Sequence, residues 1–141
     1  MANRKRLIAV VDDDIDISIL FRDALGQMNG ISVVSFTSSI IALEHFTINE
    51  SDYVMVISDL RMPGLNGMDL FKKIKDMNPF VRTILITAFE KDENIFRQYI
   101  ENEIINGFLQ KPVRLDNLLA EVNTQLHNFE LQKQQSLIEI R

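Results

Sequence analysis

Residues 53 to 67 read YVMVISDLRMPGLNG, and this stretch decides the fold. Val54, Met55, Val56 and Ile57 form an apolar run without alternation, the pattern of a strand covered on both faces, as strands of a parallel sheet are. The run ends on Asp59. Pro63 removes a backbone donor and Gly64 permits a positive φ, so the strand stops there and the chain turns. Asp59 is thereby expected at the carboxyl edge of a rigid strand, beside a tight loop.

The same pattern recurs elsewhere. Leu7 to Val11 is unbroken and apolar and runs into Asp12, Asp13 and Asp14. Val81 to Ile86 ends on Thr87, and Phe108 to Gln110 ends on Lys111 and Pro112. Ser32 to Phe36 completes a set of five predicted strands. Helical spacing fills the intervals. Ile15, Ile19, Leu20, Ala24, Leu25 and Met28 form one stripe, with Asp14 as its cap and Asn29-Gly30 as its stop. Ala42, Leu43 and Phe46 mark a second helix behind Thr37, Ser38 and Ser39. A third carries Met68, Phe71, Ile74 and Met77, with Lys72, Lys73, Lys75 and Asp76 on its other face, and ends at Asn78-Pro79. Residues 92 to about 102 suit a fourth helix with Ile95, Phe96, Tyr99 and Ile100. The last helix carries Leu115, Leu118, Leu119, Val122 and Leu126.

Five alternations of strand and helix predict an α/β fold, a doubly wound parallel five-stranded sheet. Such a sheet brings every strand's carboxyl end to one edge, where ligands bind. Asp12, Asp13, Asp59, Thr87 and Lys111 are therefore expected to converge. Three carboxylates held together repel one another, and at least one would have a raised pKa unless a cation compensates. All-oxygen ligands without cysteine point to Mg²⁺. With Lys111 and the Thr87 hydroxyl close by, the site is balanced for a phosphoryl group, and Asp59 is placed to accept it as an acyl phosphate.

Composition narrows the function classes. At 141 residues the chain suits one domain with a sizeable core. Twenty acidic against 15 basic side chains give a net charge of -5, which argues against direct nucleic-acid binding, and Arg4, Lys5 and Arg6 read as a solvated lead-in. No cysteine is present, so neither a disulfide framework nor thiol chemistry is expected. The first apolar run is too short for a signal peptide or a membrane span. A cytoplasmic protein is expected.

LIAVVDDD, SDLRMPGLNG, ILITA and GFLQKP resemble the receiver domain of two-component response regulators over about residues 5 to 128. The resemblance implies a flavodoxin-like (βα)5 sheet of order 2-1-3-4-5, a receiver domain over residues 1–128 and a C-terminal extension over 129–141. It also implies phosphorylation of Asp59 by a histidine kinase or histidine phosphotransfer protein, followed by a conformational switch that controls an unknown output protein. By position, Asp13 resembles a direct Mg²⁺ ligand, Asp12 a ligand through water, and Arg61 a backbone carbonyl ligand beside Asp59. Thr87 resembles the switch threonine, Lys111 the lysine that pairs with the phosphoryl group, with a cis bond to Pro112, and Phe108 the switch aromatic. The resemblance further implies that Arg61 and Phe89 occupy positions that tune the lifetime of the acyl phosphate, and Phe89 is expected to shield it. Glu103-Ile104-Ile105-Asn106-Gly107 departs from the family's approach to the fifth strand.

Two other functions compete. VVDDDID also resembles the opening of the haloacid-dehalogenase phosphohydrolases, which would make Asp12 the nucleophile and needs an acidic pair beyond the lysine; Asp116 and Glu121 are the acids that follow closely. The third reading is a receiver-shaped binding module that is never phosphorylated. For the tail, Leu119, Val122, Leu126 and Phe129 keep a three-four spacing that Leu137, Ile138 and Ile140 could continue past Lys133. Both an extended helix, able to pair two chains into a homodimer, and a frayed end are compatible with Gln132, Gln134, Gln135 and Ser136.

Overall fold

The computed structural model describes residues 6–88 and 94–140. Arg4, Lys5, Phe89 and Asp92 lie outside the described residues. Five strands, β1 (Leu7–Val11), β2 (Ser32–Phe36), β3 (Tyr53–Asp59), β4 (Arg82–Thr87) and β5 (Gly107–Gln110), form one sheet in the order β2-β1-β3-β4-β5. Every pairing is parallel, so the expected order holds. Every residue of β1, β3 and β4 is buried: unbroken apolar runs account for β1 and most of β3, while β4 also buries Arg82, Thr83 and Thr87.

Five helices cover the two faces, α1 (Ile15–Leu25), α2 (Ser39–Ile48), α3 (Gly67–Met77), α4 (Asn94–Glu101) and α5 (Leu115–Ile140). Phe46, Phe71, Ile74, Leu85 and Phe96 belong to one core layer, on the side of α2, α3 and α4. Phe21, Leu25, Ile57, Leu118, Val122 and Phe129 belong to the other, under α1 and α5. The last helix runs to Ile140, and Phe129 is buried within the second layer.

Asp14 caps α1 as expected: its Oδ1 accepts the backbone N–H groups of Asp16 and Ile17 at 3.0 and 3.4 Å. The buried face of α1 differs from the predicted one. Ser18, Phe21 and Leu25 point inward, while Ile15, Ile19 and Leu20 are 59%, 37% and 47% exposed. Ser18 tolerates burial because its hydroxyl donates to the Ile15 carbonyl at 2.9 Å. The helix also ends earlier, at Leu25, with the Gly26 N–H bonded to the Arg22 carbonyl.

Lys75 departs from its expected place on the solvent face of α3. It is half-buried, and its Nζ donates to Asn106 Oδ1 at 2.7 Å. Burial, with the nearby charge of Arg82, lowers its pKa to about 8, against an opposing pull from Glu103. Tyr53 is buried too, and burial raises its pKa. The consequence for stability is a dome in alkaline pH. From about pH 8 to the ordinary lysine value of 10.5 the unfolded chain holds a proton at residue 75 that the folded chain has lost, so stability rises with pH. Above the ordinary tyrosine value of 10.0 the unfolded chain loses the Tyr53 proton that the folded chain keeps, so stability falls. Urea midpoints across this range are expected to rise and then fall. Lys75→Met should remove the rise and keep the fall; a rise that survives in the variant would place its origin elsewhere.

Candidate functional site

The carboxyl edge of the sheet gathers the acids. Asp12 follows β1, Asp59 ends β3, and their carboxylate oxygens and one from Asp13 lie within 4.8 Å of one another. Asp12 and Asp59 are buried and Asp13 is exposed. Each carboxylate is positioned by backbone. Asp12 Oδ1 accepts the Asp14 N–H at 2.9 Å, and Asp59 Oδ1 accepts the Leu60 N–H at 2.9 Å. The Asp12 N–H bonds the Phe36 carbonyl at 3.0 Å, tying the acidic turn to the end of β2.

Lys111 follows β5 and reaches back across the edge. Its Nζ lies 2.9 Å from Asp59 Oδ2. Burial pulls the lysine pKa down, but the hydrogen bond to Asp59 and the charges of Asp59, Asp12 and Asp13 outweigh it, and the net shift is upward. The Asp12 carboxyl is held above its ordinary pKa, chiefly by burial. The charges of Asp59 and Asp13 add to this, and the Asp14 N–H and Lys111 only partly oppose it. The peptide bond between Lys111 and Pro112 is cis.

Asp59, Leu60, Arg61, Thr87, Ala88 and Lys111 line a cleft of about 350 Å³. Thr87, at the end of β4, is buried and is held by its own backbone: its carbonyl accepts the Lys111 N–H at 2.8 Å. Arg61 stands at the exposed mouth. The structure thus brings together Asp12, Asp13, Asp59, Thr87, Lys111 and Arg61. Phe108 is not among the cleft residues; it sits half-buried in β5 with its ring 5.3 Å from that of Phe96 in α4. Asp116 pairs with Arg114, and Glu121 bonds Gln125, so neither joins the acidic cluster.

Two contributors escaped the sequence reading. The Leu60 N–H is a backbone donor, for which side-chain pattern carries no signal. Gly67 opens α3 against the end of β3: a Cβ there would lie 2.5 Å from the Asp59 carbonyl oxygen. Its position directly after the cap Asn66, where a glycine is not needed for a cap, was the available sign of a close approach.

A family model described as the response regulator receiver domain matches residues 8–123. The DNA-binding transcriptional regulator NtrC of Klebsiella pneumoniae is 30% identical over 125 residues, covering 89% of this chain and 26% of that protein. The chain spans about a quarter of the length of such curated relatives. Among solved structures, a response regulator receiver domain protein from Clostridium thermocellum superposes with a TM-score of 0.79 at 27% identity, covering 90% of this chain and 98% of that one. The response regulator TrrA from Thermotoga maritima, in complex with Mg²⁺-BeF, gives a TM-score of 0.69 at 25% identity over 85% of this chain and 98% of that one.

Proposed function

This chain belongs to the response regulator receiver family, and from that premise we propose that Asp59 accepts a phosphoryl group from a phosphohistidine of a histidine kinase or histidine phosphotransfer protein. The observation that carries the reading is the ion pair between Asp59 and Lys111 at the centre of a cluster of three acids. In the transfer, an Asp59 carboxylate oxygen attacks phosphorus, the N–P bond of the donor breaks, and the imidazole leaves with its electron pair. Lys111 then faces the phosphoryl oxygens with the positive charge it now lends to Asp59, and Thr87 offers a hydroxyl from the same cleft.

The grouped oxygens of Asp12, Asp13 and Asp59, with the raised Asp12, suit a hard divalent cation, and those side chains with the Arg61 carbonyl would hold Mg²⁺. Bound there, the ion supplies the charge that lets donor and acceptor oxygens approach. Such a protein catalyses only its own phosphorylation and the reversal of it. Conformational change follows through Thr87 and Phe108, and the result is presented to an output protein.

The donor has an approach. A groove of about 410 Å³ lies between α1 and the turn after β5, lined by Ile17, Leu20, Phe21, Pro112 and Val113, with Asp12 and Lys111 on its wall. Ile15 and Ile19 stand exposed on the same helix. A helix bearing the phosphohistidine that seats apolar side chains here brings its imidazole over Asp59. The outward turn of α1, contrary to its predicted packing, supports this use. No described helix is long and apolar enough to cross a membrane, in keeping with a cytoplasmic place for the relay.

Intact mass measurement after incubation with Mg²⁺ and acetyl phosphate tests the reading. Wild type is expected to gain one phosphoryl group and Asp59→Asn none, with Lys111→Ala and Asp12→Asn slowed at least tenfold. An unchanged adduct in Asp59→Asn would overturn the assignment. Steady hydrolysis that depends on Asp12 and survives in Asp59→Asn would favour the phosphohydrolase.

A further inference from the structure

The amino end of β4 carries a buried charge at the edge of the sheet opposite the acidic site. Arg82 is 8% exposed, and no carboxylate among the described residues lies within 4 Å of it. Its partners are amides on α5. Nε donates to Gln125 Oε1 and Nη1 to Gln132 Oε1, both at 2.9 Å. These two glutamines stand seven residues apart, about 10.5 Å along the helix, so the guanidinium grips α5 at two successive levels.

The grip extends into β5. Gln125, 3% exposed, donates through Nε2 to Glu121 Oε2 at 2.7 Å and to the Asn106 carbonyl at 3.3 Å. Gly107 leaves room for this, since a Cβ there would meet Glu121 Oε2 at 2.6 Å. Asn106 Oδ1 accepts the Thr83 N–H at 3.0 Å, and the Asn106 N–H donates to Thr83 Oγ1 at 3.2 Å. The amino ends of β4 and β5 and the middle of α5 are thus one hydrogen-bonded block. The carboxyl end of β4 belongs to the site: the Ile86 carbonyl accepts the Leu60 N–H at 2.9 Å, and the Thr87 carbonyl accepts the Lys111 N–H.

We infer that Arg82 makes the C-terminal half of α5, residues 129 to 138, an output arm of this receiver, its position set by β4. The inference rests on Asp59 being the phosphoacceptor. Hydrogen bonds weaken steeply with misalignment, and a buried guanidinium without partners is costly. A displacement of β4 at its site end therefore carries Gln125 and Gln132 with it. Past Phe129 the arm also touches the body at its surface: Lys133 Nζ sits 5.1 Å from the Phe80 ring centroid, Gln135 and Ser136 line a small cleft with Phe80, and Glu130 pairs with Arg6. Cation–π contacts and exposed ion pairs are individually weak, whereas Gln132 accepts from a buried guanidinium and so ties this segment to β4.

Hydrogen exchange of the arm, followed by mass spectrometry with and without Mg²⁺ and beryllofluoride, reads the coupling. In wild type, loading is expected to change exchange within residues 129–138 several-fold. Gln132→Ala keeps the Arg82 to Gln125 bond, so the body stays folded and loads, but the response of the arm is expected to disappear; Arg82→Met should behave alike. An arm that ignores loading in wild type, or responds equally in Gln132→Ala, overturns the inference while the phosphoacceptor reading stands. Acetyl phosphate labelling of the same wild-type sample separates the two: without an adduct at Asp59, the phosphoacceptor reading fails and the arm's role fails with it.

Discussion

Gly67→Ala is expected to slow phosphorylation of Asp59 by about 100-fold and to destabilise the fold by about 2 kcal/mol. The added Cβ would lie 2.5 Å from the Asp59 carbonyl oxygen and 2.8 Å from Leu85 Cδ1. The leucine methyl can turn aside. The carbonyl cannot, because it is main chain at the end of β3 and accepts the Ser58 hydroxyl at 2.9 Å. Nor does α3 move freely, since the Gly67 N–H bonds the Leu60 carbonyl at 2.8 Å and Met68, Leu70, Phe71 and Ile74 are buried behind it. Either α3 withdraws from its core layer or Asp59 is displaced from Asp12 and Lys111. Overpacking of this kind typically costs about 1–3 kcal/mol. For a group transfer that depends on alignment, about 1 Å of misplacement is enough for the larger kinetic loss. The urea midpoint and the rate of adduct formation from acetyl phosphate check both halves. A variant with wild-type rate and midpoint would show that α3 yields at no cost and that the close approach does not position Asp59.

That close approach shows where sequence ran out. Strands β1 and β3 were legible because unbroken apolar runs have few other uses in a chain of this length, and β4 was legible through the shorter run Ile84-Leu85-Ile86. A parallel sheet then left no choice about where Asp12, Asp13, Asp59, Thr87 and Lys111 would meet. What was hidden depends on partners distant in the chain. Arg82 bonds glutamines 43 and 50 positions away, and Lys75 bonds Asn106 across 31. Lys75 looked like an ordinary solvated charge from its neighbours alone, and nothing beside Arg82 in the sequence points to its amide partners. The face of α1 was misread for a related reason: a serine satisfied by its own helix took the inward position, and three isoleucine and leucine side chains faced out. Periodicity registers apolar residues at helical spacing, but not which of two overlapping stripes the sheet will cover.

Ending the chain at Asn128 is expected to remove about 3 kcal/mol or more of stability, because Phe129, where the arm begins, is anchored in the receiver's core. Phe129 is 8% exposed and belongs to the core layer beneath α1 and α5. Loss of a buried phenylalanine costs about 3–5 kcal/mol, against a total of about 5–15 kcal/mol for a domain. Truncation also takes Gln132 and leaves Arg82 Nη1 without its amide partner. The pairing of Glu130 with Arg6 adds little, as both side chains are well exposed. A chain ending after Leu137 keeps every one of these contacts and should unfold at nearly the wild-type urea concentration. The comparison also separates two origins for the loss. If Phe129 and Gln132 act within one chain, the midpoints of both truncations are independent of protein concentration. If instead the helix end matters by pairing two chains, the wild-type midpoint rises with concentration and the Asn128 truncation matches it once both are dilute. Equal midpoints in the dilute limit would therefore return the tail to a dimer seam and end the receiver body at Asn128.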